Sequence, residues 1–208
     1  IYFKSKSLSL YTSIFFVAVY AAVVCIGFLL FFVVPEVILA LFLLGSGYHF
    51  GQEHFERFPL PVTIWKTILM TSYGLSIILC ILYLNSDESL VILNDLTSFQ
   101  ISAQMLLVAL IATTSTALIT GMIALRTLAW SLIIKEVLYV AVLVILFHSS
   151  SLIWSFAIYF VLWHSIPSMH HQMEHLYGEA TTKSLWLYIK GSFLYWVAAL
   201  LFLGMLYY

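Results

Sequence analysis

The sequence predicts an all-α protein, a polytopic transmembrane helical bundle of about seven spans, and three observations carry that reading. Of its 208 residues, 63% are hydrophobic and only 8% are charged, whereas a soluble domain carries roughly 25% charged residues. The mean hydropathy is +1.09, so most of this surface faces lipid. The apolar residues fall in runs near the roughly 20 residues that a helix needs to cross hydrocarbon. Strand-like alternation in blocks of about ten, the mark of a membrane barrel, is absent. Helices then satisfy the backbone polar groups that lipid cannot.

Taken in order, the spans cover about 10–34, 36–54, 62–84, 100–125, 130–147 and 151–170, with a seventh from about 184 to the last residue. The first is too long and too weakly flanked for a signal peptide. No low-complexity linker and no repeat at a fixed period interrupts the chain, so one transmembrane domain over 1–208 is expected. The chain starts at Ile1 and stops in "YWVAALLFLGMLYY" without an exit loop; truncation at both ends is expected. Cys25 and Cys80 each lie within an apolar run, as inert packing residues do. The net charge of -1 gives no reason to expect a nucleic-acid partner.

Orientation follows from the basic residues. With the spans threaded alternately, all eight Lys and Arg (Lys4, Lys6, Arg57, Lys66, Arg126, Lys135, Lys183 and Lys190) fall on one side, the cytoplasmic one. The longest loop, "NSDESLVILNDLTSFQ", lies opposite with Asp87, Glu88 and Asp95. This threading puts His49 and His164 near the cytoplasmic ends of the second and sixth spans. His148 falls at the outer end of the fifth, beside "SSS".

Two stretches gather the chemistry. "SGYHFGQEHFE" carries His49 and His54, and "WHSIPSMHHQMEH" carries four of the seven histidines. At about 100° per residue, His49 and Glu53 share a helix face, while His54 points roughly 140° away. His164, Ser168, His171 and His175 share a face within about 40–60° if the helix runs on, and His170 points elsewhere. Pro167 breaks that regularity, because it withdraws a backbone hydrogen bond and leaves the carbonyl near Trp163 in need of a partner.

Neutral imidazoles converging at one depth are what an iron, copper or zinc site requires. A single membrane histidine is more often a hydrogen-bonded packing residue, but two clusters holding six of the seven are harder to dismiss. Ionisable residues within spans are costly and are functional candidates by default. Glu53 is either a solvated helix end or a carboxylate that orients a ligand's second ring nitrogen. Tyr48, Phe50 and Trp163 flank the candidate ligands and are placed to line a tunnel; for most of the 35 aromatics the interfacial belt is the better reading. The small residues of "LIATTSTALITG" let helices approach closely.

"GYHFGQEHFE" followed by "WHSIPSMHHQ" resembles the Brp/Blh family of membrane beta-carotene 15,15'-dioxygenases, flavobacterial members above all, over nearly the whole chain. The resemblance implies oxidative cleavage of beta-carotene by dioxygen at its central double bond, giving two molecules of retinal for a microbial rhodopsin. It implies a multi-pass protein of the inner (plasma) membrane with Fe(2+) held by histidines. His49 matches the histidine of the His-Phe-Gly motif and His164 that of the His-Ser motif. Better-studied members have a second histidine four positions after the latter, where this chain has Ser168. His171, one turn on, is taken as the third metal ligand, with His54 and His175 as the next candidates. The family's Pro-His-Gly tripeptide is absent, in keeping with a missing N-terminus.

Two other classes compete. Membrane desaturases and hydroxylases need dense His-x-x-His-His boxes, which "HHQMEH" matches only loosely. A haem-binding electron carrier or small transporter would need paired axial histidines deeper in the span than His49 and His164 are expected to lie.

Overall fold

The structure, a computed structural model, describes residues 10–55, 58, 63–124 and 130–207. Its elements are α1 (Leu10–Val33), α2 (Pro35–Phe55), α3 (Ile64–Leu84), α4 (Ser86–Leu96), α5 (Ala103–Ala124), α6 (Trp130–His148) and α7 (Leu152–Ile158). A π-helical turn (Tyr159–Ser165), α8 (Ile166–Tyr177) and α9 (Thr182–Tyr207) follow. No strand occurs among the described residues, and the all-α expectation holds. Five helical stretches among these residues are long and apolar enough to cross a membrane: 14–33, 64–84, 103–124, 152–177 and 182–205. α2 is not one of them, because Tyr48, His49, Gln52, Glu53 and His54 make its last turns polar. α6 has 19 residues, and the side chains of its first turn lie outside the described residues.

The chain divides into two compact units, Leu10–His164 and a second that takes in Ser165–Tyr208. In the first, α3 is the central element, flanked by α2 and α5. Its inward face, Leu69, Met70, Ile77, Ile78, Ile81 and Leu82, is buried at helical spacing. Against the upper part of α3 pack Leu93 of α4, Leu106 of α5, Leu143 and Phe147 of α6, and Leu152 of α7. The α5 face that meets α3 is the predicted small-residue stripe, with Thr120 and Gly121 buried. In the second unit, α8 ends at Gly178, whose φ of 88° is the left-handed conformation that glycine adopts without strain.

Two expectations are corrected. The segment 86–96, predicted as part of the longest loop, is helix α4. Its first turn holds Asp87 and Glu88, where acidic side chains meet the positive end of the helix dipole. Ser89 donates to the Leu82 carbonyl at 2.7 Å, tying α4 to the end of α3. The alternating threading also fails at its first step, since only Val34 separates α1 from α2. The Val34 N–H donates to Leu30 at 2.8 Å and the Ile38 N–H to Val34 at 3.2 Å. An antiparallel pair needs a connection of about 2–5 residues, so α1 runs into α2 without reversing. Pro35 sets the break by withholding its N–H. Lys4 and Lys6, whose side depended on that step, lie outside the described residues.

Candidate metal centre

The site is built from the way α2 lies on α3. Gly47 faces the backbone of Gly74, and a Cβ on Gly51 would fall on the Met70 carbonyl. These two pairs fix an antiparallel register in which His49 lies level with about Ser72. His49 is then roughly 3 Å from the middle of α3 and roughly 6 Å past the middle of α2 at 1.5 Å per residue. The sequence placed it at a span end. In the structure α2 packs along the full length of α3, which sets His49 beside the middle of that helix. Gly47-x-x-x-Gly51 is a close-packing motif of membrane helices, legible in the sequence but not read there.

His164 reaches the same depth from the other direction. It sits in the π-helical turn directly before Pro167. Proline cannot bond back to Trp163, and a widened turn is one way for a helix to absorb that loss, often at a functional site. The His49 and His164 rings lie 4.9 Å apart, centroid to centroid, nearly perpendicular at 76°. Phe50 fills the angle between them, 4.9 Å from His164 and 5.3 Å from Tyr159. Phe160 flanks His164 at 5.3 Å. His164 is buried, and its Nδ1 has no hydrogen-bond partner among the described residues, whereas His49 is exposed.

The spacing of the pair is one that two ligands of a single metal would have. A bond of about 2 Å puts a metal about 3.2 Å from each ring centre, so two ligands at 90–110° would hold their rings about 4.5–5.2 Å apart. The observed 4.9 Å lies in that range, and the buried Nδ1 has no hydrogen-bond partner among the described residues. Two imidazoles are an incomplete set. Among the described residues no group of three or more His, Cys, Asp or Glu side chains is arranged to hold a metal. His171 and His175 are exposed on α8 of the second unit. There His171 stands 6.4 Å from the His170 ring, and His170 Nδ1 lies 3.6 Å from Glu174. Ser168 accepts from Gln172 at 3.4 Å, and Gln172 in turn accepts from the Tyr188 hydroxyl at 2.7 Å.

His54, an alternative ligand by sequence, is engaged elsewhere. Its Nε2–H donates to Glu136 of α6 at 2.5 Å, and its ring stacks on Tyr73 at 4.6 Å. Glu136 was missed by sequence reasoning, although an ionisable residue inside the run "SLIIKEVLYV" was the available signal. His148 stands at the other end of the unit: Phe147 beside it meets Ser155, and Ser155 accepts from Asn85 at the end of α3. That puts His148 roughly 20 Å along α3 from His49. Of the flanking aromatics, Phe50 is buried, Trp163 packs on the core, and Tyr48 is exposed.

An all-α chain with several helices long and apolar enough to cross a membrane, carrying a histidine pair where α2 meets the π-helical turn, defines a polytopic membrane protein with a candidate metal centre. The sequence matches the family described as beta-carotene 15,15'-dioxygenase over residues 2–208. The chain belongs to that family. No curated protein and no solved structure matches it.

Proposed function

We propose that the protein cleaves beta-carotene at its central double bond with dioxygen, giving two molecules of retinal, and that His49, His164 and His171 hold Fe(2+). The observation that carries this is the meeting of His49 and His164 inside an apolar helical unit, in a chain of this family. His171 enters on the motif resemblance, not on its position. Bound ferrous iron supplies dioxygen activation when its ligands are all imidazoles and some positions stay open. The chain's own residues do the rest. Phe50 packs against the His164 ring at a 55° tilt and keeps water from the buried side. Phe160 and the open side of His49 leave an approach from the lipid, into which a long hydrocarbon partitions. Positioning one double bond of a conjugated chain beside the centre is the main task left to the protein.

Retinal is apolar and leaves by the same lateral route, for a microbial rhodopsin in the same plasma membrane. Family membership, not depth, favours this reading over the desaturase and haem alternatives. The test is expression of the full-length protein in bacteria that make beta-carotene. Loss of orange colour with accumulation of retinal is expected. Longer apocarotenals without retinal would show that another bond is cut.

A further inference from the structure

We infer that His54 and Glu136 form a positioning pair that fixes the aim of His49, an inference resting on the reading of His49 as a ligand. The two side chains are 11% and 18% exposed and joined at 2.5 Å. Ionisable groups among apolar helices are costly and are kept where they are paired and of use. Three helices meet at this point. His54 comes from α2, Glu136 from α6, and Tyr73 of α3 stacks on the imidazole with a 23° tilt. The Phe55 ring closes the edge at 4.9 Å.

The geometry of α2 gives the pair its purpose. Around the helix, His54 lies roughly 140° from His49, and Gly47 and Gly51 lie roughly 160° from it. The glycines bring α2 close to α3 and set its register, but they carry no side chain with which to hold the rotation of α2 about its own axis. A stacked ring and a directional hydrogen bond, both on His54, resist each. The tolerance is tight. An imidazole roughly 6 Å from the helix axis moves about 2 Å when the helix turns by 20°, a displacement as long as a metal–nitrogen bond of about 2 Å. His54 is five residues from His49 on the same rigid helix, so what it holds, His49 inherits.

A pair that only stabilised the fold would give a different result from one that aims a ligand. The experiment uses full-length protein in detergent, with Co(II) as the probe for binding and for its visible absorption bands, and thermal unfolding in parallel. Glu136→Gln keeps an acceptor for His54 and should bind Co(II) within about twofold of the parent. His54→Leu with Glu136→Leu removes both members of the pair together; it should melt near the parent temperature yet bind Co(II) at least tenfold more weakly, with shifted bands. Parent-like Co(II) binding and bands in this double variant would overturn the positioning role, as would tenfold weaker binding by Glu136→Gln. His49→Ala separates the two readings: if it binds Co(II) like the parent, the ligand assignment has failed and the positioning role falls with it. If His49→Ala loses Co(II) while the double variant keeps it, only the positioning role has failed.

Discussion

At the scale of single residues, the histidines separate by what already holds them. His164 Nδ1 is buried with no hydrogen-bond partner among the described residues, His54 is bound to Glu136, and His148 stands at the far end of α3. Iron-nitrogen bonds of about 2 Å cannot span roughly 20 Å. In the full-length protein, His49→Ala and His164→Ala should therefore lower bound iron and retinal formation by about 100-fold or more, since even outer-shell changes cost about 10–100-fold. His148→Ala should leave both within about twofold. Equal loss of iron in His148→Ala and His164→Ala would mean that the register used here is wrong. Ser168 poses a separate question, because its hydroxyl joins Gln172 and Tyr188 in a polar chain between α8 and α9. If His171 is the third ligand, His171→Ala should lose iron and adding Ser168→His should restore a measurable part. Full iron and turnover in His171→Ala would move the search to His175. His49 and His164 were legible in the sequence because each stands in a short motif. The Glu136 partnership was not, since pairing across 82 positions depends on how α2 and α6 come together.

At the scale of elements, the glycines decide more than the apolar composition does. A methyl group on Gly51 would meet the Met70 backbone, which cannot rotate aside, whereas one on Gly45 would have nothing within 4 Å. Gly51→Ala should cost about 1–3 kcal/mol through overpacking, about 2–12 °C in melting temperature for a chain of this size. Gly45→Ala should melt at the parent temperature or slightly above it, because alanine is the better helix former. Equal behaviour of the two variants in detergent would sink the close-contact account of α2 on α3. The bounds of six of the seven long helical segments were legible to within about three residues, because long apolar runs admit little else in lipid; the sixth, expected over 151–170, runs on to Tyr177. α4 was not legible: its charged first turn reads as a loop, and only the burial of Ser89 and Leu93 against neighbouring helices makes it a helix. The Val34 junction was missed for a related reason. Proline before an apolar run signals a helix start equally well after a turn or after a kink.

At the scale of the whole molecule, acidic and basic side chains of the first unit mark the two ends of α3. At one end of α3, Glu36 accepts from the Ser98 N–H at 2.8 Å, and Glu88 accepts from the Leu152 N–H at 3.2 Å. Thr63 caps the other end, with Lys66 in the first turn. A helix of 21 residues is roughly 31 Å long, against a hydrocarbon core of roughly 30 Å. The two ends of α3 are then expected to face opposite aqueous phases, with the basic end in the cytoplasm. Cysteine labelling in intact cells tests this, with Cys25 and Cys80 first replaced by serine. A membrane-impermeant thiol reagent should modify Asp95→Cys and Ser149→Cys from outside, because both positions lie at the acidic end. Thr63→Cys should react only after the cells are opened. Labelling of Thr63→Cys alone in intact cells would invert the orientation and put the basic residues outside. Labelling of all three from outside would mean that α3 does not cross the bilayer, and the proposed approach of a lipid-dissolved substrate to His49 would fall with it.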